Sequence, residues 1–342
     1  MKILLLGEPS ANTSNWMHAL QEQPGVTLQL WSMTRFSGFL KIFSVAIAIV
    51  QVRRVIRVFK PDILIGYRTT SYGFIGACSG FYPLVIAAQG ESDVWPPGHW
   101  SNFFTSKMAR MAIKRAALIH AWGAHMAQSL FTLGADQSKV LIGHRGIMID
   151  NFRYHKPFQE NNRVTFVCTR SLFPEYHHDL ILNILKALED HFLDIEFLLV
   201  IVGDGSLKNT LVEYAKQMNF RSEIIWSGRI PPERISDWLS KSDVYISLPD
   251  TEGVSSSLLE AMASGCYPIV TDLPANREWI KDSLNGRLVS LDKDYIVEVC
   301  KEVIQNRFNL NPEIEENRRV IERLADAKKI NTYFIDQYRK LL

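Results

Sequence analysis

The sequence predicts an α/β protein made of two doubly wound parallel sheets. Its 342 residues suffice for two domains of roughly 100–200 residues, each with its own core. In both halves, short apolar runs alternate with longer helical patterns. The runs are continuously apolar, which is typical of strands covered by helices on both faces of a parallel sheet. These observations together favour two α/β domains of similar construction.

Five strands are predicted in each half. Those of the first half are KILLLG, DILIGY, PLVIAA, ALIHAW and KVLIGH, and those of the second are VTFVCT, FLLVIVG, EIIWSG, DVYISL and YPIVTD. Between the halves, residues 148–163 are polar and include Pro157, so they are the predicted hinge. We therefore place one domain at residues 1–155 and a second at 156–325. The charged helical tail, residues 326–342, is expected to pack toward the first domain.

The composition excludes several classes of protein. Hydrophobic residues make up 47% and charged residues 22%, as in soluble globular proteins, and a net charge of +2 is too small to indicate a nucleic-acid partner. The four cysteines have no paired spacing, which argues against a zinc site and against a disulfide framework. They suit a reducing cytoplasm. The N-terminal apolar run is shorter than the core of a signal peptide, about 7–15 residues.

Two basic and apolar stretches leave the question of membrane contact open. Residues 39–60 hold an apolar run that stops at Arg53, short of the roughly 20 residues needed to cross a bilayer. This stretch is either a core helix with charged ends or a helix lying on anionic lipid. Residues 99–118 allow the same two interpretations. Peripheral contact with the inner face of a membrane is therefore one expectation.

The segment TEGVSSSLLEAMASG, residues 251–265, places Glu252 and Glu260 on either side of a predicted helix start. One interpretation is local, because Ser257 and Glu260 have the spacing of a capping box. The other is a ligand. The serines and nearby amides form a helix N-terminus, which favours a phosphate, while carboxylates accept hydrogen bonds from sugar hydroxyls.

Other loops are expected at the same edge of the second sheet. Arg170 follows VTFVCT, and the turn Gly203 to Ser206 follows FLLVIVG. Ligands of open α/β sheets bind at the carboxyl ends of the strands, where these loops meet. Arg170 supplies a planar guanidinium group that is always charged and can donate two parallel hydrogen bonds to an anion. A sugar nucleotide accounts for the basic and acidic groups together, although the turn at 203–206 also suits a simple helix start.

These segments resemble the retaining glycosyltransferases of the large family four, which have the GT-B fold. The resemblance covers nearly the whole chain. Its most specific part is IIWSGRIPPERISDWLSKSDVYISLPDTEGVSSSLLEAMASGCYPIVTD, preceded by VTFVCTRSLFPEYHHDLIL and FLLVIVGDGSLKNTL. In the first half, KPDILIGYRTTSYGFIGA, GESDVW and AALIHAWGAHMAQSLFTLGADQSKVLIGHRGIMIDNF look like the acceptor domain of that family. The resemblance implies two Rossmann-like domains facing across a cleft, with a C-terminal helix crossing back to the first.

The resemblance also implies roles for individual residues. Glu252 contacts the donor sugar, Glu260 the ribose and Arg170 the diphosphate. Transfer with retention takes place on the face that the leaving group departs from, so no protein nucleophile is expected. No metal or other cofactor is expected either, apart from the nucleotide-diphosphate sugar as donor. With Asp93 as the third candidate catalytic residue, the remaining donor-binding candidates are Gly7, Tyr176, Gly203, Gly205, Arg229, Gly253, Val254, Ser255, Ser256 and Ser257. The acceptor-side candidates are Gly90, Glu91 and Ser92.

The chain departs from the family pattern at four places. Tyr176, His177 and His178 stand where a lysine is common, and the loop GEPSANTSN offers Gly7 instead of a glycine pair. The loop AAQGESDVW has no match for the histidine found in some members, and Met148 replaces the usual aspartate of the interdomain segment. The first departure replaces the lysine that would supply a second positive charge to the diphosphate.

The expected function is metal-independent transfer of a sugar, with retention, from a nucleotide-diphosphate sugar to a glycan, lipid-linked or small-molecule acceptor. Cell-envelope or surface polysaccharide synthesis is the expected setting. Two alternatives remain open, a nucleotide-sugar epimerase of the same fold and a non-catalytic partner subunit that binds sugar nucleotide or glycan. An epimerase would change the donor sugar without any acceptor. The pair Asp292 and Asp294 resembles metal-binding carboxylates but also suits helix capping, which we favour.

Overall fold

The computed structural model describes residues 1–9, 11–34, 44–88, 101–144, 146–155, 157–158 and 162–342, with the side chains of residues 11, 12, 14, 15 and 101–104 left aside. The chain divides into two compact units. The first consists of Met1–Gly146 together with Ala327–Leu342, and the second of Ile147–Asp326. Each unit contains one sheet.

The sheet of the first unit has the strand order β2-β1-β3-β4-β5-β6, and its neighbouring strands pair in parallel. Its strands are β1 (Lys2–Leu6), β2 (Thr27–Trp31), β3 (Ile63–Tyr67), β4 (Leu84–Ala88), β5 (Leu118–Ala121) and β6 (Val140–Ile142). The prediction for this half is confirmed apart from β2, which it missed. Thr27 and Gln29 of β2 are exposed, so this edge strand lacks the continuous apolar run used to find the others.

Helices flank this sheet. They are α1 (Ala11–Gln21), α2 (Ser44–Phe59), α3 (Gly73–Ser79), α4 (Ser101–Arg115), α5 (Ala124–Thr132) and the C-terminal α13 (Ala327–Arg339). Helix α4 buries Ala109, Ala112 and Ile113, so the core interpretation of residues 99–118 holds for this face. Helix α2 buries Ala48 and Val52 on one face.

The C-terminal helix α13 belongs to the first unit. Phe334 is buried, and its ring centroid lies 3.8 Å from that of His120 on β5. A methyl group at Gly143 would come within 2.8 Å of the Phe334 ring, so glycine is required for this close packing. The hydroxyl of Thr332 also donates to Gln23 Oε1 at 2.9 Å. The tail therefore completes the core of the first unit.

The second unit repeats the parallel architecture with the strand order β12-β11-β10-β7-β8-β9. Its strands are β7 (Arg163–Cys168), β8 (Glu196–Val202), β9 (Glu223–Gly228), β10 (Val244–Ser247), β11 (Tyr267–Thr271) and β12 (Arg287–Val289). The helices are α6 (His178–His191), α7 (Lys208–Gln217), α8 (Ile235–Leu239), α9 (Ser256–Ser264), α10 (Pro274–Arg277), α11 (Lys293–Gln305) and α12 (Asn311–Leu324). Of the strands in this unit, only β12 was not predicted, because it contributes just two apolar residues after Arg287.

Shorter turns connect these elements. A π-helical turn spans Arg68–Tyr72, and 3-10 turns span Gln137–Lys139, Ile149–Asn151, Pro174–Tyr176, Pro232–Arg234 and Arg307–Asn309.

Alternate strand residues of the second unit pack on opposite faces of the sheet. Phe166 and Ile246 belong to one buried cluster, whereas their neighbours Val167 and Tyr245 belong to another. This alternation follows from the two-residue period of a strand. The second cluster includes Leu258 and Leu259 of α9, so this helix is anchored against the sheet.

The junction between the units lies at Gly146 and Ile147. Ile147, Ile149 and Phe152 are buried in a core cluster of the second unit, and the Ile147 N–H donates to the carbonyl of Ala325 at 2.8 Å. The predicted boundary at residue 155 therefore falls inside the second unit. The polar composition of residues 148–163 hid the apolar contacts of Ile149 and Phe152.

Within the described residues, none of the helices has both the length and the apolar character needed to cross a bilayer. Residues 39–43 of the basic stretch at 39–60 lie outside the described residues. The part that forms α2 contributes one face to the core, and its other face exposes Val50 and Val58, at 49% and 85% of their surface.

His120 is a buried group that should make stability depend on pH. Its Nε2 lies 2.9 Å from the carbonyl oxygen of Gly143 and its Nδ1 lies 3.3 Å from the Tyr338 hydroxyl. Because a carbonyl only accepts, Nε2 carries the proton, and neutral Nδ1 accepts from Tyr338. Burial lowers the pKa of His120 from 6.5 to about 4, against the opposing effect of the hydrogen bond to Gly143.

We therefore expect acid to destabilise the fold through His120. Between about pH 6.5 and pH 4 the unfolded state binds a proton that the folded state does not, so the unfolding free energy falls as the pH falls, by roughly 2–3 kcal/mol at pH 4. Urea denaturation across this range measures the slope. His120→Gln should reduce this slope, with buried His178 still contributing to it, whereas the same change at exposed His18 should leave it unchanged. Equal slopes in wild type and His120→Gln would contradict the assignment.

Candidate donor site of the second unit

Two loops at the carboxyl edge of the second sheet carry the central residues of the site. Strands β7 and β10 are neighbours, with Tyr245 opposite Val167 in the register. The loop after β7 therefore lies beside the loop after β10. Arg170 on the first loop donates from Nη2 to Glu252 Oε2 on the second. Each of these side chains is only 11% exposed. The structure thus brings together the predicted arginine and the predicted sugar-binding glutamate.

Arg170 is also contacted by an aromatic ring. Its guanidinium carbon lies 4.7 Å from the ring centroid of Tyr176, within the range of a cation–π interaction. Burial acts to lower the pKa of Arg170, but the negative charge of Glu252, with smaller contributions that include Tyr245, outweighs burial and raises the pKa. The guanidinium is therefore charged at all physiological pH values.

The same two loops are joined at two further points. The Asp250 N–H donates to the carbonyl of Glu175 at 2.9 Å. His177 Nε2 lies 2.7 Å from Asp250 Oδ1, and His177 adopts a left-handed backbone conformation with φ of 48°. Asp250 and its pairing with His177 were not predicted from the sequence. The tandem histidines at 177 and 178 were visible, but nothing in the sequence indicated that their environments differ.

In contrast to partly exposed His177, His178 is buried. It is 1% exposed, and Nε2 lies 3.6 Å from the sulfur of Cys168. Burial, assisted by the positive charge of Arg170, lowers its pKa from 6.5 to about 4. A neutral ring therefore lies behind the charged guanidinium at neutral pH.

The turn at residues 203–206 packs against the Arg170 loop. A methyl group at Gly203 would come within 2.1 Å of the Arg170 carbonyl oxygen, and one at Gly205 within 2.3 Å of that of Leu172. The Leu172 N–H also donates to the carbonyl of Asp204 at 3.1 Å. Both predicted glycines are therefore required by the packing of two neighbouring loops. Their contact with a donor stays a prediction.

Helix α9 begins at Ser256, and this start excludes the capping box. Ser255 occupies the capping position without a side-chain capping bond. The third helical residue is therefore Leu258, not Glu260, so Ser257 and Glu260 lie too far along the helix for reciprocal capping. The interpretation of this pair as a capping box is wrong. The first turn nevertheless presents backbone N–H groups that have no intrahelical acceptor.

Other candidates of the donor set lie around this helix start. Gly253, Val254, Ser256, Ser257 and Glu260 are half-buried, whereas Ser255 is buried. Arg229 is exposed just after β9. Lys208 of α7, which the sequence analysis did not select, lies 3.7 Å from Asp204 and adds a cation at the 203–206 turn. The ligand contacts of these residues stay predictions.

In the first unit, Gly7 directly follows β1. Its N–H donates to the carbonyl of Trp31 at 3.0 Å. A methyl group there would make ordinary contacts, 3.5 Å from Tyr67 Cβ, so the packing of the protein does not require glycine. The remaining candidates of this unit, Gly90, Glu91, Ser92 and Asp93, lie outside the described residues.

Of the carboxylate pair Asp292 and Asp294, the first has a structural role. Asp292 caps α11, accepting from the Tyr295 N–H at 2.8 Å. The capping interpretation is therefore confirmed for Asp292. Among the residues that the structure describes, no group of three or more histidine, cysteine or acidic side chains is arranged to hold a metal ion. All four cysteines are free thiols.

Comparison with known proteins adds an independent line of evidence. The chain is 26% identical over 178 residues to UDP-Gal:alpha-D-GlcNAc-diphosphoundecaprenol alpha-1,3-galactosyltransferase of Escherichia coli. The matched region covers 46% of this chain and 45% of that protein. It is 25% identical over 138 residues to alpha-monoglucosyldiacylglycerol synthase of Streptococcus pneumoniae. The matched region covers 40% of this chain and 31% of that protein. These matches span less than half the length of either relative.

Solved structures share the fold. HepE of Anabaena in complex with UDP-glucose matches 100% of both chains with a TM-score of 0.77 and 13% identity. At this identity the likeness shows the GT-B fold alone. The model of the family described as glycosyl transferases group 1 matches residues 150–323, slightly more than half of the 342 residues and nearly all of the second unit. With the parallel sheets and the motif residues in place at their loops, we conclude that the chain belongs to the glycosyl transferases group 1 family.

Proposed function

We propose that the chain is a retaining, metal-independent glycosyltransferase that takes its sugar from a nucleotide-diphosphate sugar. The observation that carries this proposal is the buried Arg170 beside Glu252, next to the start of α9. A guanidinium and a helix N-terminus suit a diphosphate. A carboxylate in the same place suits the hydroxyl groups of a sugar. Family membership supports this assignment.

In the proposed reaction, the bond between the anomeric carbon and the diphosphate oxygen breaks as the acceptor oxygen bonds to the same carbon. The acceptor proton passes to the departing diphosphate, so the reaction needs no base from the protein. Negative charge grows on the leaving oxygen. Arg170 and the N–H groups of α9 stabilise that charge, and such electrostatic stabilisation is usually the largest contribution to catalysis. Glu252 holds the sugar and Glu260 the ribose.

The first test is a thermal-shift panel of UDP, GDP and ADP with their sugars, because a ligand that binds the folded state raises its apparent stability. We expect UDP to give the largest shift, since HepE binds UDP-glucose and the Escherichia coli relative is named for UDP-Gal. Transfer is then measured with the preferred sugar nucleotide, and NMR of the product reports whether the anomeric configuration is retained. No shift with any of these nucleotides would overturn the proposal.

We further propose a lipid-linked glycan as the acceptor, in synthesis of the cell envelope at the cytoplasmic face of the membrane. The names of both relatives contain lipid groups, a diphosphoundecaprenol and a diacylglycerol. Helix α2 carries Arg54, Arg57 and the highly exposed Val58 on its outer face, and its sequence has no acidic residue. Such a face suits an anionic lipid surface.

Flotation with vesicles tests this contact. Wild type should float with anionic vesicles at low salt, and the double substitution Arg54→Glu and Arg57→Glu should abolish flotation. Zwitterionic vesicles are the control. If wild type stays with the unbound fraction at low salt, the membrane contact is excluded.

A further inference from the structure

We propose that Tyr176 is a positioning residue that holds Arg170 in place for the donor diphosphate, through the face of its ring and not through its hydroxyl. This inference rests on the proposed function and specifies how the donor site works. It assigns Tyr176 a role through another side chain instead of the direct donor contact that the sequence suggested.

The Tyr176 ring contacts the Arg170 guanidinium directly. The Arg170 guanidinium carbon lies 4.7 Å from the Tyr176 centroid, and the arginine side chain is 11% exposed. Cation–π attraction is strongest where the cation is shielded from water. Half-buried Tyr176 therefore covers a face of a cation that is already withdrawn from solvent.

The ring face does not compete with a donor for hydrogen bonds. Glu252 binds Arg170 through Nη2, one of the groups that a diphosphate also needs. The ring attracts the cation through its π electrons and leaves the N–H groups free to donate. When Glu252 turns to a sugar, Tyr176 still keeps the guanidinium plane oriented. A guanidinium group that is already oriented loses less conformational entropy when it binds a phosphate.

The backbone around Tyr176 fixes the ring in this place. Tyr176 ends the 3-10 turn that starts at Pro174, and its N–H donates to the carbonyl of Phe173 at 3.1 Å. The next residue, His177, is left-handed and bonds to Asp250 at 2.7 Å. One residue further on, the ring of buried His178 makes an edge contact with that of Tyr176, with centroids 6.4 Å apart and an interplanar angle of 71°. Contacts made by the residues before and after Tyr176 thus fix the position of its ring.

Substitutions that separate the ring from the hydroxyl test the proposal. Affinity is measured by calorimetry with whichever of UDP, GDP and ADP wild type binds most tightly. Tyr176→Leu should weaken binding by about tenfold, equivalent to 1.4 kcal/mol. Tyr176→Phe, which keeps the ring, should recover affinity to within about twofold of wild type. Tyr176→Met, which has comparable bulk without a ring, is the second variant and should behave like the leucine variant.

A crystal structure of the leucine or methionine variant gives a readout that does not depend on a nucleotide. We expect its Arg170 guanidinium to be displaced or disordered, and the phenylalanine variant to keep it in place. Undiminished affinity in both ringless variants would overturn the inference while leaving the proposed function intact. Equal losses in the phenylalanine and leucine variants would overturn it too, because the hydroxyl would then be the active group. If wild type binds none of the three diphosphates, the proposed function fails, and the inference fails with it.

Discussion

Replacing Glu252 by glutamine is expected to lower turnover by about a hundredfold or more, with nucleoside diphosphate affinity unchanged or increased. The carboxamide keeps the shape of the side chain but not its charge, so it holds sugar hydroxyls less strongly in the transition state. Glu252 also pairs with Arg170. Neutralising it removes the competitor that a diphosphate must displace from the guanidinium.

Steady-state kinetics together with calorimetry distinguish the two effects, since loss of a transition-state interaction lowers kcat more than it raises KM. Glu213→Gln on α7 is the matched control, because this glutamate is 64% exposed and forms its ion pair within the helix. Proportionate losses of turnover and of diphosphate affinity would argue against a role of Glu252 on the sugar.

Replacing Arg170 by glutamine is expected to weaken nucleoside diphosphate binding by roughly 10- to 100-fold, because charge-assisted hydrogen bonds to the phosphates are lost. Calorimetry with UDP measures this loss directly. Arg319→Gln, at a 68% exposed position of α12, is the control for the change in net charge. Unaltered affinity in Arg170→Gln would refute its assignment to the diphosphate.

The same variant has a consequence for stability. Removing either partner leaves the other buried without a counter-charge, which costs about 3–5 kcal/mol for a fully buried pair. The double variant Arg170→Gln and Glu252→Gln should therefore be more stable than the sum of the two single losses predicts, as urea denaturation in a double-mutant cycle would reveal. Additive losses would mean that the two side chains do not interact in solution.

Much of the fold could be predicted because a buried parallel strand has a simple sequence signature. The runs that predicted β1 and β8 are apolar at nearly every position, since helices cover both faces of the sheet. At the edges of the sheets, strands are less fully covered, and the continuous apolar run is weaker or shorter. Strand β2 alternates between exposed and buried residues, and β12 is three residues long. Both missed strands lie at a sheet edge, where the physical constraint on sequence is weaker, although the edge strands β6 and β9 were predicted from their apolar runs.

For the site, the sequence indicated the loops but not the contacts within them. A parallel sheet brings the loops after β7 and β10 to one edge, so Arg170 and Glu252 could be placed near each other. Their direct pairing depends on side-chain orientation, which no spacing in the sequence encodes. The apparent capping box shows the same limit, because a box formed by Ser257 and Glu260 requires a helix that starts two residues later than the observed start at Ser256.

The ion pair between Arg170 and Glu252 has a consequence for selectivity in a cell rich in free phosphate. An isolated inorganic anion that draws Arg170 away leaves a carboxylate deprived of its partner in a poorly hydrated place. A neutral sugar can satisfy the carboxylate but offers nothing to the arginine. Under the proposed function, a sugar nucleotide presents both an anion and hydroxyl groups and so compensates both residues. We therefore expect the pair to favour a sugar nucleotide over a metabolite that carries only a phosphate or only hydroxyl groups.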